Sequence, residues 1–298
     1  MKQSPILGLA AALGIALAGD RSSAAPAVTA TDLVAVKGTP TGRFTAVAGA
    51  QSGVDLTYPI DVSNPHKHLY VSGFACGGVA AGDLDGDARP DLVFAGTEGS
   101  NRAFLNRGNW RFEASPEDLG GGGTWASAPA LVDIDNDGDL DLYFANYDAP
   151  NTLFLNDGKG TFEEAAERFG LALRDASLAA AFCDYDRDGD LDLYLLTNRY
   201  YSPDGFPGDE PDQLTAKQQK FFQFVEGADG KRELNIVPRP DRLLRNDSGK
   251  FIDVSRHSGI TANPRHGLAA TWWDYDRDGW PDLYVCNDFD DPDSLYHN

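Results

Sequence analysis

The sequence is poor in the residues and motifs that most enzymes and zinc proteins depend on. Its 298 residues include only five histidines and three cysteines, Cys76, Cys183 and Cys286. No two cysteines form a C-x-x-C pair, which argues against a zinc site, and their apolar surroundings predict buried free thiols or one disulfide with one free thiol. No G-x-S-x-G, P-loop or H-E-x-x-H motif occurs. The sequence therefore predicts a protein that is not an enzyme.

Basic residues are also scarce. There are 25 lysines and arginines against 46 acidic residues, and the formal net charge is −21. A nucleic-acid-binding protein needs a basic surface to neutralise phosphates, so this class is excluded. A strongly acidic chain instead attracts cations or basic partners.

Long hydrophobic runs are absent after the N-terminus. The first 18 residues combine Lys2, an apolar stretch over 6–18 and small residues suited to cleavage, the pattern of a signal peptide. Residues 19–40 lack periodicity and are expected to form a linker. We therefore expect a secreted, periplasmic or cell-surface protein that is not transmembrane.

What the sequence does contain is one acidic pattern, present four times. Aspartates occupy positions 1, 3, 5 and 9 of four nine-residue windows, which we call loop 1 (83–91), loop 2 (133–141), loop 3 (184–192) and loop 4 (274–282). The residues are Asp83, Asp85, Asp87 and Asp91; Asp133, Asp135, Asp137 and Asp141; Asp184, Asp186, Asp188 and Asp192; and Asp274, Asp276, Asp278 and Asp282.

Each loop is a candidate site for one calcium ion. Carboxylates at alternate positions of a bent loop converge, repel one another and are neutralised by a divalent cation. Oxygen ligands without histidine or cysteine favour Ca²⁺, and about four ions are expected. Loop 1 has Ala88 at position 6, where the other loops have a glycine that suits a left-handed backbone, so we expect site 1 to be strained or weaker.

The loops belong to a longer repeat. Each loop separates two apolar strand-like runs, and a predicted β-hairpin follows. Asp83 and Asp133 are 50 residues apart, Asp133 and Asp184 are 51 apart, and Asn106 and Asn156 each lie 23 residues after the first aspartate of their loop. Four antiparallel strands in each unit predict an all-β fold, a β-propeller over residues 41–298 with about four blades.

One interval is longer because of an insertion. Asp184 and Asp274 are 90 residues apart, which places about 40 extra residues over 198–239. Helix-forming and apolar residues predict a short helix with an aromatic patch over 212–225. The insertion is expected either to cap a blade edge or to form a ligand or partner surface.

The acidic loops, together with the downstream segment L-F-L-N-D-G-K-G-T-F, resemble the FG-GAP/VCBS repeats of integrin α-chain propellers. The likeness is closer to bacterial relatives of cartilage acidic protein 1, the ASPIC/UnbV group, although no C-terminal ASPIC/UnbV module is seen. This resemblance implies an extracellular, calcium-loaded propeller that usually has seven blades. We therefore favour a truncated seven-bladed propeller over a closed ring of four blades, with a further C-terminal portion as a partner of the chain.

The expected function is adhesion or recognition, with structural calcium in the blade loops and a protein or glycan as the ligand. The alternative is a calcium-dependent polysaccharide lyase or hydrolase.

Overall fold

The computed structural model describes residues 46–58, 63, 67, 69, 77–96, 101–207, 213–227, 230–260, 264–288 and 291–298. The predicted signal peptide, the predicted linker and Cys76 lie outside these residues. Residues 47–298 form one compact unit. Within the described ranges, no helix is long and apolar enough to cross a membrane, and Cys183 and Cys286 are free thiols.

The first blade is a four-stranded antiparallel sheet in chain order. It consists of β1 (Val79–Gly82), β2 (Asp91–Phe94), β3 (Arg102–Asn106) and β4 (Phe112–Ala114). A four-residue helix, α1 (Gly49–Ser52), precedes it. Loop 1 connects β1 to β2, the connection predicted from the sequence.

The second and third blades repeat this arrangement. The second contains β5 (Trp125–Val132), β6 (Asp141–Pro150), β7 (Thr152–Asn156) and β8 (Phe162–Glu164), followed by the short helix α2 (Ala166–Phe169). The third contains β9 (Arg174–Cys183), β10 (Asp192–Thr197), β13 (Arg242–Asn246) and β14 (Phe251–Asp253). The long strand β6 also pairs with the start of β9 through Tyr147 and Ala176, so that the two blades share one eight-stranded sheet.

The fourth blade has three strands within the described residues: β15 (Gly267–Trp273), β16 (Asp282–Asn287) and β17 (Ser294–Tyr296). Loop 4 connects β15 to β16 as loops 1 to 3 connect their strands. The all-β class and the repeated antiparallel blades are therefore confirmed, as part of a propeller with several blades.

The predicted helix over 212–225 is wrong in the part of it that the structure describes. Only Gln218–Lys220 form a 3-10 turn, and β11 (Phe222–Glu226) then pairs with β12 (Arg232–Ile236) as a hairpin. Aromatic side chains at Phe222 and Phe224 suit a strand. The turn after β11 contains Gly230 at φ +76, and the Gly227 N–H donates to the Lys231 carbonyl at 2.7 Å. Strand propensity and turn chemistry thus outweigh the helix formers upstream.

Blades pack through alternating faces of their second strands. Leu142 and Phe144 of β6 lie in one apolar cluster with Val93 of blade 1, whereas Tyr143 lies in another with Leu193 of blade 3. Likewise, Leu193 and Leu195 face blade 2, while Tyr194 and Leu196 pack with Leu283 of blade 4. The period-2 alternation of a strand therefore gives blades 2 and 3 two buried faces.

Candidate metal centres

In each acidic loop, three of the four predicted aspartates converge. Carboxylate oxygens at positions 1, 3 and 9 lie within 4.8 Å of one another in all four loops. The groups are Asp83, Asp85 and Asp91; Asp133, Asp135 and Asp141; Asp184, Asp186 and Asp192; and Asp274, Asp276 and Asp282. Three carboxylates at this separation could hold one cation.

The position-9 aspartate begins the second strand of each blade and is buried. Its Oδ2 accepts the N–H of loop position 2, from Leu84, Ile134, Tyr185 and Tyr275 at 2.8, 2.9, 3.1 and 3.1 Å. Its Oδ1 accepts a second N–H, from Asn106, Asn156, Asn246 and Asn298 at 2.6, 2.9, 2.8 and 2.9 Å. This residue thus fastens the loop to the end of the third strand.

The position-1 aspartate caps its own loop. Asp83 accepts the N–H groups of Gly86 at 2.9 Å and Ala88 at 2.7 Å. Asp184 accepts those of Asp188 at 3.0 Å and Gly189 at 3.1 Å. These bonds bend the loop around the carboxylate cluster.

The position-5 aspartate is not brought into these three-carboxylate groups. In each loop its Oδ1 accepts the N–H two residues further on, as when Asp188 accepts from Asp190 at 2.9 Å. The same contact occurs at Asp87, Asp137 and Asp278, at 2.9, 3.1 and 2.9 Å. Metal coordination by these four residues stays a prediction, since an Asx turn accounts for their geometry without an ion.

The bend needs a left-handed backbone at two positions, of which sequence analysis predicted one. At position 6, φ is +64° at Ala88 and between +93° and +100° at Gly138, Gly189 and Gly279. Ala88 therefore carries the expected strain, because a Cβ disfavours this region by roughly 1–2 kcal/mol. Position 4 is also left-handed, even at Arg187 (φ +62°) and Arg277 (φ +65°), where no residue preference indicated it.

Several oxygens in the loops are buried and have no hydrogen-bond partner in the described part of the chain. They are Asp85 Oδ1, Asp133 Oδ1, Asp139 Oδ1 and Asp186 Oδ1. An unsatisfied buried carboxylate oxygen is costly, and a cation would satisfy it. The residues present therefore fit a hard divalent cation.

Burial raises the pKa of the position-9 carboxyls of loops 1 to 3, Asp91, Asp141 and Asp192, despite their two backbone hydrogen bonds. The pKa rises to about 7 at Asp141 and to about 7 at Asp192. Neighbouring aspartates raise both pKa values further. The arrangement thus penalises the charged form of these groups unless positive charge is added.

Loop 4 has an additional group that sequence analysis did not assign. His297 Nε2 lies 3.0 Å from Asp276 Oδ2 and 3.9 Å from Asp278 Oδ2, and its pKa is raised by its hydrogen bond with Asp276. All three residues are exposed. The sequence clue was its position in the repeat. His297 directly precedes Asn298, just as Leu105 directly precedes Asn106 at the end of the third strand of blade 1.

A second repeated arrangement lies at the other end of the blades and was also missed. The tyrosine hydroxyls of β10 and β16 donate to an aspartate ahead of the third strand: Tyr194 to Asp241 at 2.6 Å and Tyr284 to Asp293 at 2.5 Å. In blade 2, Asn151 Nδ2 donates to the Tyr143 hydroxyl at 2.8 Å. The tyrosine after D-L in three of the four second strands was the available sequence clue.

Comparison with known proteins identifies the class of repeat to which these acidic loops belong. Residues 83–144 and 133–195 match the family model of the FG-GAP-like repeat, and the two matches begin at Asp83 and Asp133. The chain thus contains FG-GAP-like repeats over 83–195. The resemblance to integrin α-chains and the closer likeness to the ASPIC/UnbV group stay predictions.

Among solved structures, the chain is similar to an Agrocybe aegerita lectin that recognises non-reducing terminal N-acetylglucosamine. The identity is 17% and the TM-score 0.33, and the match covers 71% of this chain and 60% of the lectin chain. No curated protein matches the chain.

Proposed function

We propose that this protein is an exported, calcium-binding β-propeller that recognises a ligand without chemically transforming it. The observation that carries the calcium assignment is the convergence of three carboxylates in each of four loops of the same geometry. Repetition in register argues against four chance clusters of solvated aspartates.

Calcium suits these loops better than other common cations. The converging ligands are carboxylate oxygens, loops 1 to 3 contain no histidine or cysteine, and buried oxygens such as Asp186 Oδ1 are still unsatisfied. A bound calcium ion would supply positive charge only, neutralising the carboxylates. The position-9 aspartate would then hold the loop against the third strand, as its two backbone hydrogen bonds already do.

Calorimetric titration of the metal-free protein with CaCl₂ tests the assignment. We expect saturable binding at several sites, with tighter binding of Ca²⁺ than of Mg²⁺ because magnesium retains more of its waters. Replacing Asp186 with asparagine should remove one site. Binding of neither cation would contradict the proposal, and preference for a transition metal would contradict the choice of calcium.

The insertion offers a surface for ligand recognition. It leaves from the end of β10 that is opposite loop 3, and it forms a cleft lined by Asp204, Phe206, Lys217, Gln218 and Phe222. Phe206 is 57% exposed, and its ring packs edge-on against Phe222 at 5.0 Å. An exposed ring beside a carboxylate, an ammonium and an amide matches the apolar face and the hydroxyls of a sugar. We propose that this cleft binds a carbohydrate.

A glycan array probed with the calcium-loaded protein tests this step. We expect selective binding that Phe206→Ala weakens by at least tenfold and that Phe206→Trp retains. Ile252→Ala removes another exposed apolar side chain, on β14 and outside the cleft, and should leave binding unchanged. Absence of glycan binding, or an equal loss of binding in the Ile252 variant, would contradict the proposal that this cleft binds a carbohydrate. Release of shortened sugars from the array would identify an enzyme instead.

A further inference from the structure

Loop 1 differs from its relatives in charge as well as at Ala88. At two corresponding positions, blade 1 has arginine where blades 2 and 3 have aspartate. The first is position 7 of the loop, with Arg89 against Asp139 and Asp190. The second follows the asparagine that ends the third strand, with Arg107 against Asp157 and Asp247.

Arg107 occupies one oxygen of a carboxylate that would bind a cation. Its Nη1 lies 2.8 Å from Oδ2 of Asp85, the position-3 residue, while its Nε donates to Glu113 at 3.1 Å. The Asp85 side chain is only 14% exposed, while the Arg107 side chain is 40% exposed, so the pair is partly screened by water. A guanidinium thus already supplies positive charge at the centre of loop 1.

Arg89 neutralises a second carboxylate of the same loop. Its Nη2 pairs with Asp87 Oδ2, and its Nε donates to the Asn106 carbonyl at 3.0 Å. The Asn106 N–H in turn donates to Asp91 Oδ1 at 2.6 Å. The arginine therefore ties the loop to the third strand, which is the role that calcium would share in the other blades.

Loops 2 and 3 contain no such ion pair. Within the described residues, no lysine or arginine lies within 4 Å of their metal-ligating carboxylates, whereas the position-7 aspartates Asp139 and Asp190 add negative charge. In loop 3, the guanidinium of Arg187 lies 5.2 Å from the ring centroid of Trp280. The two arginines, together with Ala88, thus separate loop 1 from loops 2 and 3.

We propose that loop 1 is an arginine-neutralised turn that folds without calcium, and that the protein holds three calcium ions, in loops 2, 3 and 4. This inference rests on the proposed calcium function. A cation entering loop 1 must displace a charge-assisted bond, which makes its binding roughly ten- to a hundredfold weaker. The left-handed Ala88 adds to that penalty.

Native mass spectrometry of the full chain over a CaCl₂ titration tests the count. We expect three ions at concentrations that saturate loops 2 to 4. The variant Ala88→Gly/Arg89→Asp/Arg107→Asp restores the pattern of loops 2 and 3 and should bind a fourth. Melting of this variant in calcium confirms that it is folded. Arg174→Asp/Arg256→Asp reverses two exposed arginines that pair with no loop carboxylate, so it is the charge-matched control and should still bind three.

The outcomes separate the two proposals. Four ions of similar affinity in the wild type would overturn the role of the arginines and leave the calcium function standing. A folded triple variant that still binds three ions would also overturn it. Absence of bound calcium in the wild type would overturn the proposed function itself.

Discussion

Removal of calcium by excess chelator is expected to lower the melting temperature by at least about 10 °C. Each ion that binds only the folded chain contributes about 2.7 kcal/mol at a free concentration one hundred times its Kd. Without it, the carboxylates at positions 1, 3 and 9 repel one another within 4.8 Å. Differential scanning calorimetry in calcium and in chelator measures the shift.

Chelator already saturated with calcium is the control and should leave the melting curve unchanged. Magnesium added after chelation should restore less of the shift than calcium does. An identical melting curve in calcium and in excess chelator would show that the loops are stable without an ion, contrary to the proposed function.

Replacement of Arg239 by alanine is expected to destabilise the fold by about 3 kcal/mol, because it leaves a buried carboxylate without its main partner. Asp175 in β9 is fully buried, and Arg239 at the end of the insertion contacts both of its oxygens, at 2.6 and 3.1 Å. Arg242 lies 3.5 Å away and compensates in part. Urea denaturation at fixed calcium measures the change as a shift in midpoint with an unchanged slope.

The same variant should change how stability depends on pH. Burial raises the pKa of Asp175, but the hydrogen bond and charge of Arg239 outweigh it and leave the pKa below 3.8. A carboxyl whose pKa is depressed in the folded protein stabilises the fold at pH values above its ordinary pKa. This stabilisation is lost as the pH falls through the folded-state pKa. The difference in the free energy of unfolding between the wild type and Arg239→Ala should therefore be largest near neutral pH and shrink below about pH 4.

Arg245→Ala is the matched control. It removes an arginine of the next strand pair whose partner Asp247 is, like itself, 40% exposed. Solvent screens such a pair, so the urea midpoint should stay close to that of the wild type. An equal shift of the urea midpoint in both variants would show that the contact between Arg239 and Asp175 stabilises the fold no more than an exposed ion pair does.

The strands and loops were predictable because each depends on local patterns. Alternating side chains marked the second strands, and the four aspartate windows marked the turns between inner strands. Repetition in register then indicated the blade, since a four-stranded unit must bury both faces against neighbours. Asn106 and Asn156 were found as register markers, although their backbone contacts to Asp91 and Asp141 became visible only in the structure.

What escaped prediction depends on residues that are distant in the chain or on competing local preferences. Asp175 and Arg239 are 64 residues apart, and no local pattern links them. The helix formers before Phe222 concealed a hairpin whose turn chemistry lies after it. Spacing placed Asp188 among the metal ligands, and this stays a prediction; its Oδ1 contact with the Asp190 N–H was not foreseen, because the loop has left-handed residues at positions 4 and 6.

The pairing of β6 with β9 makes the coupling between blades uneven. Blades 1 and 2, and blades 3 and 4, contact each other through side chains of the clusters around Phe144 and Tyr194. One backbone hydrogen bond, from the Ala126 N–H to the Gly96 carbonyl, crosses between blades 1 and 2, whereas blades 2 and 3 are joined by strand pairing near Tyr147 and Ala176. In a repeat array, stability is approximately a sum of unit and nearest-neighbour contributions. The strongest stabilising interaction between adjacent blades thus lies at the middle of the described array. Blades 2 and 3 should therefore unfold as one cooperative unit, while blades 1 and 4 unfold independently of it.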